Sequence, residues 1–194
     1  MMDIIPVHKG GGGAEIKILG KAAHSSRPDI GINANQKAAD FLIALRKLQT
    51  RLNKTKHPLL GPTTVECTMM EGGFKSNIIP DSAKLTLNTR LIPAHKEPET
   101  SRKWFEDIIE ELGSNDPEFR AEILSHRASE PLDVPLDSEI VKFLVEKLGK
   151  EPVGAPYYTE AVDYTRAGIP TVICGPGSID QAHTADEWIS LEQI

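Results

Sequence analysis

An α+β chain in two parts is predicted here: a four-stranded antiparallel sheet with two helices on one face, followed by a smaller piece of α/β character. Three observations predict it. Between residues 10 and 126, alternating runs and three-four periodic runs follow the order strand, helix, strand, strand, helix, strand, the ferredoxin-like βαββαβ plan. From residue 127 to 194 the pattern changes to two helices and a short, evenly apolar run, as in a parallel sheet covered on both faces. The chain has 194 residues, 39% of them hydrophobic, which is enough to bury a real core.

The elements follow in order. Residues 1–9 form an incoming connection, and the glycines Gly10 to Gly13 act as a flexible lead-in. In "AEIKIL", Ile16 and Ile18 face one side and Glu15 and Lys17 the other, as in a half-buried strand. Ala34, Ala38, Phe41, Leu42, Leu45, Leu48 and Leu52 recur at helical spacing and give one apolar stripe. Pro58, Gly61 and Pro62 end that helix, and "TTVECTMM" is the second strand. After the loop "GGFKSNIIPDS", Ala83, Leu85, Leu87, Thr89 and Leu91 alternate with Lys84, Thr86, Asn88 and Arg90 as a third strand. A second helix over residues 99–112 points Trp104, Phe105, Ile108, Ile109 and Leu112 inward, with Gly113 as its stop. "FRAEILS" is the fourth strand. In the tail, Asp137 or Ser138 caps a helix through Leu148, another runs from near Thr159 to Gly168, and "TVIC" is the apolar strand.

A formal charge of −6 argues against nucleic acid or an anionic membrane as the main partner. No apolar run approaches the length of a membrane span, and the start, "MMDIIPVHKGGGG", has no signal-peptide core. Two cysteines, Cys67 and Cys174, form no disulfide framework, which fits a reducing cytoplasm.

The four glycines are not a phosphate loop, because a strand rather than a helix follows them. The six histidines show no zinc-binding spacing with one another or with cysteine; His57, His95 and His126 are placed at the surface. His24 lies on a loop after a strand, where functional residues concentrate, and a solvated imidazole is the alternative reading. His183 follows the "TVIC" strand and a Gly-Pro-Gly turn, where ligands bind in open α/β sheets, with Asp186 or Glu187 able to orient its ring. Cys174 is either a nucleophile paired with His183 or a small buried hydrophobe, the stronger reading. Arg90 can clamp a carboxylate through two parallel bonds, or be a surface arginine. Asn77 can stabilise a turn.

Three segments, "GKAAHSSRPDIGINA", "GGFKSNIIPDSAKLTLNTR" and "YTEAVDYTRAGIPTVICGPGSIDQAHTADEW", together resemble the zinc aminoacylase and deacetylase family of metallopeptidases, of the acetylornithine deacetylase and succinyl-diaminopimelate desuccinylase type. The resemblance covers almost the whole chain, in the family's order. It implies that the βαββαβ unit is a lid and homodimerisation domain, and that the tail is a fragment of the zinc-bearing α/β catalytic domain. His24 is then the histidine that enters a partner subunit's site and stabilises the oxyanion, while Asn77 and Arg90 hold substrate, Arg90 through its carboxylate. Thr159, Gly175 and Gly177 bind substrate with hydroxyl and backbone groups, and His183 is the last zinc ligand.

The implied reaction is hydrolysis of a small N-acyl amino acid with two zinc ions. The family's H-x-D pair, bridging aspartate and Glu-Glu have no counterpart in these residues. The resemblance therefore implies a chain that lacks the N-terminal metal-binding half, is inactive alone, and is either truncated or one half of a split enzyme. It also implies that Gly11 to Gly13 shorten the lid's first strand. The alternative is a non-catalytic dimerisation or substrate-binding module without zinc.

Overall fold

The computed structural model describes residues 2–193. A short strand β1 (Val7–His8) leads directly into β2 (Gly10–Leu19), and a two-residue strand β3 (Ala23–His24) follows. Helix α1 (Ala34–Leu52) starts at Asn33, whose side chain accepts the backbone N–H groups of Asn35 and Gln36 and so satisfies two donors that the helix leaves open. It ends well before Pro58. A small ribbon of β4 (Lys56–His57) and β5 (Gly61–Pro62) fills the interval before β6 (Thr64–Gly72). Then come β7 (Ile78–Ile79), β8 (Ser82–Leu91), α2 (Glu99–Asn115) and β9 (Arg120–Ala128). The tail holds β10 (Leu132–Asp133), α3 (Glu139–Leu148), β11 (Gly154–Ala155) and α4 (Ala161–Arg166).

The main sheet has the order β6-β8-β2-β9 with every pair antiparallel, the expected βαββαβ arrangement. Alternation in β2 and β8 buries Ala14, Ile16, Ile18, Ala83, Leu85 and Leu87 against Phe41, Leu45 and Leu48 of α1 and Phe105 and Ile108 of α2. The opposite face is polar and carries, among others, the Lys84–Glu15 ion pair at 2.6 Å.

Four details differ from expectation. Gly10 to Gly13 belong to β2, which keeps ten residues and is not shortened. Backbone crowds Gly10, Gly12 and Gly13: a Cβ on Gly13 would lie 2.3 Å from the Leu87 carbonyl oxygen, and one on Gly12 2.6 Å from that of Arg127. Gly113 lies inside α2, which runs on to Asn115 because the Asp116 N–H still reaches the Leu112 carbonyl. His95 and His126 are half-buried rather than surface groups, hydrogen-bonded to Thr63 and Ser101 respectively.

The last concerns "TVIC", which forms no parallel strand. Only Ile173 pairs, with Ile5, as an isolated antiparallel bridge. A parallel strand needs a neighbour along its length, and Ile5 supplies one residue. Beside it, β1 pairs antiparallel with β10 and parallel with β11 in a small second sheet. Leu132, Val134, Val141 and Ala161 form a separate small core there. Helix α3 begins after Ser138 and closes on Gly149 at φ 62, where glycine avoids the Cβ clash of the left-handed region.

Candidate functional site

Two loops at one end of the main sheet clasp each other. The Ser25 N–H donates to the Asn77 carbonyl (3.0 Å), Ala23 and His24 pair with Ile79 and Ile78, and the Ala34 N–H donates to the Pro80 carbonyl (3.0 Å). His24 and Asn77 are thereby brought to one exposed edge. The Nδ1 of His24 accepts the Ser26 N–H at 3.2 Å and lies 2.8 Å from the Ser26 hydroxyl. Because a backbone amide can only donate, the neutral ring must carry its proton on Nε2, facing away from the loop. That arrangement suits a donor to negative charge on a ligand.

Arg90 sits at the other end. It pairs with Gly11 on β2 and Thr64 on β6, half-buried, and its side chain has no ion pair or hydrogen bond among the described residues. Gly11 makes the guanidinium's place: a Cβ there would stand 3.1 Å from Arg90 Nη1 and 3.4 Å from Tyr158 Cβ. Thr159 follows Tyr158. Its hydroxyl oxygen accepts the Ala161 N–H at 3.3 Å at the start of α4 and keeps its own proton for another acceptor.

Two residues of this corner received no role from the sequence. His8 is fully buried; its Nδ1–H donates to the Lys9 carbonyl (2.9 Å), its Nε2 accepts the Thr159 N–H (3.4 Å), and its ring meets Tyr158 edge-on at 5.5 Å. Burial pushes its pKa below the ordinary 6.5. Lys9 is 6% exposed and donates to the Pro62 carbonyl at 2.6 Å. The available signal was a basic pair directly after the apolar run Ile4 to Val7, where burial would otherwise continue.

The third group lies in the tail. Gly175 and Gly177 line a cleft of about 700 Å³, together with Trp188 and Tyr157. Gly177 has φ 106, and its N–H donates to Gln193. His183 is exposed at φ 62, and Glu187 accepts its backbone N–H (3.2 Å) rather than orienting its ring. Cys174 is half-buried and outside any strand. Among the described residues, no three His, Cys, Asp or Glu side chains gather closely enough to hold a metal ion. The donors among these residues therefore do not by themselves make up a zinc centre. Among the described residues no helix is long and apolar enough to cross a membrane.

Solved structures share this fold. An M20 family metallo-carboxypeptidase from Sulfolobus solfataricus superposes with a TM-score of 0.72 at 20% identity, over 99% of this chain and 56% of its own. A putative aminohydrolase from methicillin-resistant Staphylococcus aureus gives 0.74 at 17% identity, over 100% and 52%. The open antiparallel sheet with two helices, leading into a second sheet, is thus a fold this chain shares with both structures. Residues 7–117 match the M20 peptidase dimerisation domain, and the chain belongs to that family. The acetylornithine deacetylase of Myxococcus xanthus is 34% identical over 98% of this chain and 51% of its own length. That of Proteus mirabilis is 30% identical over 98% and 49%. The chain spans about half the length of the curated relatives it matches.

Proposed function

We propose that this chain is the lid and C-terminal portion of a hydrolase that removes the acyl group from an N-acyl amino acid, in the manner of acetylornithine deacetylase, and that it works as a homodimer in the cytoplasm. One observation carries the reading. Arg90 is a half-buried guanidinium that has no acidic partner among the described residues, and it lies over Gly11 together with Tyr158. Such a group is suited to an α-carboxylate, which it can hold through two parallel bonds.

In this reading Arg90 and the Thr159 hydroxyl hold substrate within one subunit. His24 and Asn77 serve the partner's site, His24 donating from Nε2 to the oxyanion. Gly175 and Gly177 contribute backbone contacts, and His183 is a single ligand completing a zinc centre whose other ligands, and the general base, lie on polypeptide beyond these residues. The chain by itself then binds but does not hydrolyse. The non-catalytic module is the alternative, and the tail with His183 and the glycine turn favours the hydrolase.

Subunit mixing tests it, in an assembly supplied with the metal-binding half. His24→Ala should be nearly inactive, since loss of one oxyanion donor costs roughly 10²–10³ in turnover, and Arg90→Ala should be nearly inactive through loss of the carboxylate clamp. Mixed in equal amounts they should recover about a quarter of wild-type activity, because half the two-fold dimers are mixed and each has one intact site. No recovery would mean that His24 and Arg90 act in the same subunit.

A further inference from the structure

The residue with the least explained position is Lys9, in the one-residue gap between β1 and β2. A lysine buried to 6% exposure normally faces a carboxylate, and among the described residues Lys9 has no ion pair. Its ammonium donates one hydrogen bond, to the Pro62 carbonyl, which leaves two N–H groups. Its own N–H is tied to the Ala155 carbonyl at 3.0 Å, so the backbone is held by the second sheet.

Strand alternation puts Lys9 on the same side as Gly11, and Gly11 lies directly opposite Arg90. Pro62 stands two residues before Thr64, the other residue opposite Arg90. Carried one step past Gly10–Leu91, the same register sets Lys9 opposite Ile92, beside Pro62, so a side chain reaching from Lys9 to Pro62 crosses the end of β8 with Arg90 as its diagonal neighbour on the same face. Burial first, and then the Arg90 charge, lower the Lys9 pKa, which agrees with that proximity. Two like charges drawn together without a counter-charge raise the energy of the empty corner, and an anion lowers it.

We propose that Lys9 is a second cationic contact of the seat formed by Arg90, so that a ligand carboxylate is held between guanidinium and ammonium. The proposal rests on the reading of Arg90 as a carboxylate clamp and adds a specificity determinant to it. The ligand class is the free α-carboxylate of an N-acyl amino acid; an ester or amide of the same acid loses both charges' attraction.

The test is a titration of the ¹⁵N-labelled 194-residue chain with N-acetylglycine, and with its methyl ester as the uncharged control. The acid should bind in the millimolar range and the ester at least tenfold more weakly, roughly the difference a charge-assisted pair makes. Lys9→Met should weaken the acid about tenfold and leave the ester unchanged, Lys9→Arg should restore the acid, and Lys21→Met, at an exposed lysine, should do nothing. Acid affinity lost in Arg90→Met but unchanged in Lys9→Met would overturn the role of Lys9 and leave Arg90 standing. Unchanged affinity in Arg90→Met, or no preference of the wild type for the acid, would overturn both. Where Lys9→Met does not fold, ¹³Cε-lysine spectra of the wild type decide. The Lys9 signal should shift with the acid and not with the ester, and an unmoved signal overturns the proposal.

Discussion

His24 and Arg90 stand at opposite ends of one antiparallel strand pair. Arg90 opposes Gly11 at one end, the ladder runs eight residues to Leu19 opposite Ser82, and His24 lies beyond it, opposite Ile78. At about 3.4 Å per residue the strand alone separates them by roughly 27 Å. No single N-acyl amino acid spans that distance, so the two residues serve one ligand only if two copies of the chain meet. Spin labels at positions 24 and 90, on a chain with Cys67→Ser and Cys174→Ser and diluted with unlabelled protein, should report an intrachain distance of about 25–30 Å. A distance under about 15 Å would place both in one subunit's site.

Three histidines make the protein sensitive to acid. Burial lowers the pKa of His8, His95 and His126 below the ordinary 6.5. A folded-state pKa below the unfolded value means that the neutral ring is favoured in the folded state. That contribution is fully present above about pH 6.5 and is lost as the pH falls through the folded values. Protonated His8 would also lose its acceptor for the Thr159 N–H. Urea midpoints should be level from pH 7 to 8 and drop steadily from pH 6.5 to 5, less steeply in His8→Asn; a flat profile would contradict the burial of these rings.

The crowded glycines of β2 give a stability prediction. Gly13→Ala pushes a methyl group against the Leu87 carbonyl and should cost about 1–3 kcal/mol, as overpacking does. Gly175→Ala meets open space and should stay within about 0.5 kcal/mol. Chemical denaturation measures both, and equal effects would mean that β2 relaxes to accept the methyl group.

These glycines also mark where sequence reasoning stopped. The βαββαβ order was legible because Ile16, Ile18, Leu85 and Leu87 alternate and Phe41, Leu45 and Leu48 recur at helical spacing, and each pattern is local. Four adjacent glycines carry no such pattern, and only the approach of the Leu87 and Arg127 carbonyls explains them as strand. "TVIC" has strand composition, yet whether it pairs depends on neighbours that composition does not reveal, and Ile173 meets only Ile5. His24, Asn77 and Arg90 were visible as motif members. Lys9 and His8 were not, since their burial arises from the second sheet closing over Gly10 and Gly11.

Uneven cores predict uneven opening. Among the described residues, seventeen buried ones make the core of the main sheet and four that of the tail, where Trp188 and Leu191 are exposed. Local opening follows the density of buried contacts. Hydrogen exchange should therefore show residues 128–193 opening well before 14–126, and Phe41→Ala should cost about 3–5 kcal/mol globally. Uniform protection would contradict a tail with its own weak core.

The most direct measurement is zinc stoichiometry on the purified 194-residue chain, by calorimetric titration after chelator treatment. A substrate-holding half-site with His183 as its single ligand predicts weak binding, well below one tight equivalent per chain. Two tightly bound ions per chain would contradict it and would place a complete metal centre within these residues.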